Sequence, residues 1–153
     1  MATLRLVSPL TGVVHPVTDV PDPVFAEGIV GPGLAIEPLR TQKQTVVAPA
    51  DGVVGALHPH AFALELGDGR TLLVHLGIDT VGLAGAGFLL HVQGGQAVRV
   101  GEPLVTWSPL DVHAAGLATI CPVVALQADP DLLTVLVAQG GSVLAGDPLL
   151  DWA

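Results

Sequence analysis

Two histidines, His60 and His75, flank a stretch of sequence that is typical of a β-hairpin. The stretch reads HAFALELGDGRTLLVH, and its central Gly-Asp-Gly-Arg is a strong turn signal between two runs of strand-forming residues. A loop of two or of four residues places Leu66 opposite Thr71, and this register puts both imidazoles on one face of the hairpin. Their α-carbons would then lie about 7–8 Å apart, so both rings could converge on one small anion or metal ion. A three-residue loop would instead send the rings to opposite faces.

The chemistry of such a pair is nucleophilic. A neutral imidazole nitrogen is a competent nucleophile near neutral pH, because the unperturbed pKa of histidine is about 6.5. A second imidazole on the same face can donate an N–H to an anion held by the first. A single histidine in a strand is more often structural, and the shared face is what favours a functional pair. His15, His91 and His113 lack such a partner and are interpreted as ordinary surface residues.

Composition favours many short strands over helices. Half of the 153 residues are hydrophobic, and 19 glycines and 13 prolines are spread evenly along the chain, which is long enough for one well-buried domain. Helical patterns are confined to two short segments, residues 111–117 and 129–137.

Two internal repeats indicate a duplicated architecture. SPLTGVV at residues 8–14 recurs as APADGVV at 48–54, and GQAVRVGEPLVTW at 95–107 recurs as GGSVLAGDPLLDW at 140–152. We predict an all-β, single-domain antiparallel β-sandwich or flattened barrel with internal duplication and one or two short helical turns. Residues 1–7 are predicted to form a short N-terminal tail, and residues 8–153 the domain.

Charge and cysteine content exclude several functional classes. The net charge is −9 with only five lysines and arginines, so the chain has no basic footprint for nucleic acid and suits a basic protein partner. No uninterrupted apolar run reaches membrane-spanning length, and the first residues show no signal-peptide pattern. The single cysteine, Cys121, fits a reducing compartment. These features predict a cytoplasmic protein that does not insert into the membrane.

Several segments in one order resemble the enzyme IIA domain of the glucose family in the bacterial sugar phosphotransferase system (PTS). They are residues 19–27, 31–38, 46–52, 60–62 and 74–80, and the resemblance extends from about residue 8 to residue 152. It implies a β-sandwich with a shallow active site that accepts phosphate from phospho-HPr and passes it to the IIB domain of a sugar permease. No cofactor would be required.

The resemblance also assigns roles to individual residues. His75, in Val-His-Leu-Gly-Ile-Asp, would be the phosphorylated nucleophile, and His60 would stabilise the phosphate. We expect His75 to attack through Nε2, with Nδ1 held by a backbone carbonyl. The partner-binding rim would comprise acidic and apolar positions, namely Asp22, Val24, Phe25, Asp79 and Val81, with Ile29 and Val30 as further candidates. For Phe25, and for Phe62, which is predicted opposite His75, packing in the core is the competing interpretation.

One position departs from the family pattern. The family usually carries a threonine two residues before its first histidine, and here that residue is His58. His58 could replace the threonine as a hydrogen-bond donor or point away from the pair.

The pattern also admits zinc chemistry. The alternative function is a zinc metallopeptidase on a related β-scaffold, with ligands drawn from His15, Asp19, His58 and His60. In the phosphotransfer interpretation, His60 and His75 would hold zinc only weakly and adventitiously.

Overall fold

The computed structural model describes residues 2–153, in which most of the regular structure is β-strand. The strands are β1 (Leu4–Val7), β2 (Gly12–Pro16), β3 (Gly33–Pro38), β4 (Gln44–Val47), β5 (Gly52–His58), β6 (Ala61–Glu65), β7 (Thr71–His75), β8 (Phe88–Leu90), β9 (Ala97–Val98), β10 (Pro103–Trp107), β11 (Cys121–Ala125), β12 (Leu133–Val135), β13 (Ser142–Val143) and β14 (Pro148–Trp152). The α-helices are α1 (Pro23–Ala26) and α2 (Pro109–Ala114), and 3₁₀ turns occur at Val17–Asp19, Thr80–Leu83 and Pro130–Leu132. Within residues 2–153, every helix is too short to span a bilayer.

The strands form antiparallel sheets that pack as a sandwich. One sheet has eight strands in the order β13-β2-β3-β11-β7-β6-β5-β9, and two smaller sheets have the orders β1-β14-β12 and β4-β10-β8. The outermost strands of these sheets do not pair with each other in the described part of the chain, so the barrel is not closed. The predicted all-β sandwich is confirmed.

The longer sequence repeat, residues 95–107 and 140–152, supplies the central strand of each small sheet. β10 and β14 carry the repeated Pro-Leu segment, and each is the central strand of its sheet. The shorter repeat behaves in the same way, since Gly12 pairs with Val143 and Gly52 pairs with Val98. Both repeats therefore mark equivalent positions in two similar halves.

The N-terminal boundary of the domain differs from the prediction. Residues 1–7 were expected to be a tail, but Leu4 to Val7 pair with β14, beginning with Leu4 opposite Trp152. Leu6 is 1% exposed in the main core. Burial of this side chain and the pairing of its backbone make β1 part of the domain.

The predicted helical segments are confirmed in part. α2 begins at Pro109, where the Ser108 side chain accepts a hydrogen bond from the Asp111 backbone N–H, and it ends at Ala114. Residues 129–137 contain only the 3₁₀ turn Pro130–Leu132, because β12 follows at once and pairs with β14. α1 is too short to show a helical periodicity in the sequence, so it was not predicted.

Two apolar clusters lie on opposite faces of the eight-stranded sheet. The main core lies between the sheets and includes Phe62 and Val74. A smaller cluster covers the other face, where the segment from Val17 to Val30 packs across β3, β11 and β7; its buried members are Val20, Phe25, Ala35, Ile78, Ile120 and Val124. This second face carries the site described below.

The β6–β7 hairpin has a register that differs by one residue from the prediction. Leu66 donates its backbone N–H to the carbonyl of Arg70, so the loop is the three residues 67–69. Ala61 is therefore the partner of His75, and Phe62 pairs with Val74 in the main core instead of facing His75. Arg70 stabilises this register, since its buried guanidinium contacts Asp68 within the loop and donates to the carbonyls of Ala2 and Trp152, each at 2.7 Å.

Candidate active site

The rings of His60 and His75 meet despite the altered register. Their centroids are 5.1 Å apart and their planes are inclined at 69°. We expected a three-residue hairpin loop to separate the rings, and that expectation is wrong because His60 does not belong to a strand. It follows Pro59 in the turn between β5 and β6, where strand alternation does not fix its side chain. The Leu76 backbone N–H donates to the His60 carbonyl at 2.7 Å and holds this turn against the end of β7.

His75 is held in one tautomer by the backbone. Its Nδ1 lies 2.5 Å from the carbonyl oxygen of Gly77. A carbonyl oxygen can only accept, so Nδ1 carries the proton and Nε2 keeps a free lone pair when the ring is neutral. The predicted hydrogen bond from Nδ1 to a backbone carbonyl is confirmed.

Gly77 is required by the shape of the loop that follows β7. Its φ of +74° lies in the left-handed region, and a Cβ built there would come within 2.7 Å of Thr80 Cγ2 and 2.9 Å of the Ala118 carbonyl oxygen. Gly77 is buried, so its lack of a side chain makes room inside the loop. The loop therefore presents the Gly77 carbonyl to His75 only if residue 77 is glycine.

Thr80 supports the same loop and was not identified from the sequence. Its buried hydroxyl donates to the Leu76 carbonyl at 2.8 Å, and the Ile78 N–H donates to Ala118 at 3.0 Å. A hydroxyl-bearing residue in the loop, five residues after the end of β7, is the signal that could have identified Thr80.

The electrostatic environment favours neutral imidazoles. Burial lowers the pKa of His75, and the Gly77 carbonyl and the carboxylates of Asp22 and Asp79 oppose that shift only in part. The pKa of His60 is also lowered, first by burial and then by the charges of His75 and His58. Both rings are consequently neutral near neutral pH, as a nucleophile and a neutral N–H donor require.

Phe25 forms an inner wall of the site. Its ring meets His75 edge-on with 5.5 Å between centroids, and the side chain is only 7% exposed within the second cluster. The expectation that Phe25 offers exposed surface to a partner is wrong, because α1 turns this side chain inward against β7. Its packing instead restricts the His75 ring.

The other apolar rim positions are exposed as expected. Val24 is 43% exposed, Ile29 is 61% exposed and Val81 is 66% exposed, whereas Val30 packs on the second cluster. Val24 adjoins Phe25 in α1, and Val81 lies in the turn that follows the His75 loop. Apolar side chains thus stand in solvent on the two segments that flank His75.

The carboxylates of Asp22 and Asp79 differ in their hydrogen bonding. The Asp22 side chain accepts a hydrogen bond from the Val24 backbone N–H at 3.0 Å and caps α1. Asp79 has φ +61°, and its side chain makes no capping hydrogen bond in the described chain. Its exposed carboxylate remains available to a cationic group.

The remaining histidines do not assemble the ligand set of the zinc alternative. His58 is exposed and stacks on His60, with 5.6 Å between ring centroids and 27° between planes. His15 instead contacts Asp19, with Nδ1 2.9 Å from a carboxylate oxygen. Across residues 2–153, no three histidine, cysteine or acidic side chains gather where they could share a metal ion.

Comparison with known proteins agrees with this geometry. The family model of the phosphoenolpyruvate-dependent sugar phosphotransferase system, EIIA 1, matches residues 4–131. The chain belongs to this family. A solved structure of glucose permease IIA from Mycoplasma capricolum superposes on this EIIA 1 member with a TM-score of 0.85 and 29% identity, covering 99% of this chain and 96% of that one.

Two curated relatives come from Corynebacterium glutamicum. The PTS system glucose-specific EIIBCA component is 46% identical over 128 residues, or 82% of this chain and 18% of that protein. The mannose-specific EIIBCA component is 47% identical over 121 residues, or 78% of this chain and 17% of that protein. The EIIA 1 member thus spans less than a fifth of the length of either relative.

Proposed function

We propose that the chain is a phosphoryl carrier of the sugar phosphotransferase system. It accepts phosphate from phospho-HPr on His75 and passes it to the IIB domain of a sugar permease, in support of sugar uptake. The observation that carries this proposal is the hydrogen bond from His75 Nδ1 to Gly77, which leaves Nε2 unprotonated beside a second imidazole. Phosphoenolpyruvate, named in the family description, is made inside cells, so we place the reaction in the cytoplasm.

Transfer to His75 is a displacement at phosphorus. The Nε2 lone pair attacks the phosphorus of the donor phosphohistidine, a new N–P bond forms, and the electrons of the donor N–P bond return to the donor nitrogen. The His75 ring keeps its Nδ1 proton, and the Gly77 carbonyl stabilises the positive charge that develops on the ring. The step needs alignment and charge stabilisation, so we propose that it requires no cofactor.

His60 is the group that stabilises the transferred phosphate. With 5.1 Å between the two ring centroids, an N–H of His60 can reach an equatorial oxygen of a phosphoryl group on Nε2 of His75. Its lowered pKa keeps His60 neutral, so it donates a hydrogen bond without forming a persistent ion pair with the phosphate.

The surface around the site fits a partner with an apolar patch and positive charge. Exposed Val24 and Val81 provide apolar area that excludes water from a hydrolysable phosphohistidine. Asp79, with Asp22 beside α1, offers negative charge, and the net charge of −9 would speed encounter with a basic donor. The same surface would serve donor and acceptor in turn, because both must reach His75.

The proposal is tested by labelling the chain with phospho-HPr prepared from phosphoenolpyruvate. Wild type should acquire an acid-labile, alkali-stable phosphate, and His75→Gln should acquire none. His60→Gln should still be labelled but should pass phosphate to a IIB domain more slowly, since a stabilising donor contributes less than the nucleophile. His113→Gln, on exposed α2, is the matched control and should behave as wild type. Equal labelling of wild type and His75→Gln would disprove the assignment.

A further inference from the structure

His58, Ala61 and His75 form one row across three neighbouring strands. His58 at the end of β5 is the partner of Ala61, and Ala61 is in turn the partner of His75. Directly opposed residues of antiparallel strands point to the same face, so the two histidines project from one side of the sheet. Their backbones are separated by two strand spacings, which amount to roughly 9–10 Å.

The ring of His60 fills the space between those two histidines. Its centroid is 5.6 Å from that of His58 and 5.1 Å from that of His75, so it contacts both rings. Ala61, the middle residue of the row, is 7% exposed, and its side chain of one carbon leaves room for a ring above it. Three imidazoles therefore stand side by side, with His60 in the centre.

The orientation of His60 depends on packing. Its ring nitrogens make no hydrogen bond within residues 2–153, and the residue lies in a turn after Pro59. The contact with His75 is edge-on at 69°, whereas the contact with His58 is nearly parallel at 27°. A stacked ring restricts rotation about the side-chain bonds of its neighbour, because turning would bring the two faces into collision.

We propose that His58 is a positioning residue, whose ring supports the outer face of His60 and holds it in the orientation that meets the phosphoryl group on His75. The predicted effect of His58 on phosphoryl transfer rests on the proposed function. The contact by which His58 supports the His60 ring is present in the unphosphorylated chain.

His58 also influences the protonation of His60. The charged or titratable groups that act on His60 are the imidazoles of His58 and His75, and the carboxylates of Asp22 and Asp79 act on His75. The charge of His58 contributes to the lowered pKa of His60, after burial and the charge of His75. Loss of His58 should consequently raise the pKa of His60 toward its ordinary value near 6.5.

Two substitutions separate the ring from its charge. His58→Ala removes both, so the pKa of His60 should rise and onward transfer to a IIB domain should slow by about tenfold, as expected for a misplaced group. His58→Phe keeps a planar ring without a titratable nitrogen, so transfer should stay within about twofold of wild type and the pKa should rise less. His113→Ala is the matched control, since it removes an exposed imidazole from α2.

The measurements are NMR of the histidine rings in the unphosphorylated chain, both as a titration and as nuclear Overhauser contacts between rings, and a rapid-quench assay of transfer. Unchanged contacts between the rings of His60 and His75 in His58→Ala would overturn the inference, and so would a His58→Phe variant as slow as His58→Ala. The NMR measurements need no partner, so they decide the role of His58 even if phospho-HPr fails to label the wild-type chain. That failure would count against the proposed function alone.

Discussion

Replacing Gly77 with alanine should uncouple His75 from its backbone acceptor and destabilise the fold. An alanine in the left-handed region costs about 1–2 kcal/mol relative to glycine. Alanine also lowers the conformational entropy of the unfolded chain, which stabilises the folded state by up to about 1 kcal/mol and offsets part of that cost. The new Cβ would also lie 2.7 Å from Thr80 Cγ2 and 2.9 Å from the Ala118 carbonyl oxygen, and the latter is backbone that cannot rotate away. Overpacking of this kind costs a further 1–3 kcal/mol or so, which gives a total of about 1–5 kcal/mol with its centre near 3 kcal/mol.

Gly116→Ala is the matched control for this experiment. Gly116 has φ +83°, and a Cβ there would meet nothing within 4 Å. The substitution should therefore incur the cost of the left-handed backbone without a steric clash. It should cost about 1 kcal/mol in the free energy of unfolding, roughly half or less of the cost at Gly77. Urea unfolding at constant pH measures both values.

The same variant should alter the chemistry of the site. The clash moves the loop that carries the Gly77 carbonyl, so His75 should lose its fixed tautomer, and ring ¹⁵N NMR should show a mixture of protonated Nδ1 and Nε2. Labelling by phospho-HPr should fall by about tenfold or more, since a nucleophile with a proton on Nε2 cannot attack. If Gly77→Ala costs no more stability than Gly116→Ala and leaves the tautomer of His75 unchanged, the account of this loop is wrong.

Three further expectations follow from the site. Because burial lowers the pKa of His75, the labelling rate should stay flat from about pH 8 to about pH 6.5 and fall only in more acid solution; a decline already above neutral pH would contradict the neutral-imidazole account. Zinc should bind weakly at His60 and His75, be removed by chelators and weaken as pH falls, whereas a stoichiometric zinc that survives chelation would indicate a true metal site. Val81→Ser should weaken donor binding by about tenfold at every salt concentration, because it removes apolar contact area. Asp79→Asn should slow association mainly at low salt, where charges are least screened. Identical salt profiles for the two variants would disprove the division between apolar and charged contacts.

Local sequence signals were sufficient for the architecture. The paired repeats at residues 95–107 and 140–152 became the equivalent central strands β10 and β14, because a strand, a tight turn and a second strand are encoded within a dozen residues. The signal was weaker where partners are distant. Leu4 to Val7 carry no motif, and they form β1 only because β14, nearly 150 residues later, offers a free edge.

The hairpin register combines a local turn with a tertiary contact. Gly-Asp-Gly-Arg permits loops of several lengths. In the three-residue loop, Gly69 adopts φ +91° and Asp68 accepts hydrogen bonds from the backbone N–H and the guanidinium of Arg70. The same guanidinium is buried against the carbonyls of Ala2 and Trp152. These acceptors lie at the two ends of the chain and are brought together only by folding.

The sequence by itself determined the chemical identity of the site: a histidine after an apolar strand, a glycine two residues on, and a second histidine across the hairpin. Only the tertiary structure decided how these groups meet. His60 reaches His75 from a turn and not from a strand face, and Phe25 faces inward because α1 packs on the outer sheet surface. The physical reason is that residue type fixes which bonds a group can make, whereas orientation depends on which side chains occupy the space around it. That space is shared by elements far apart in the chain.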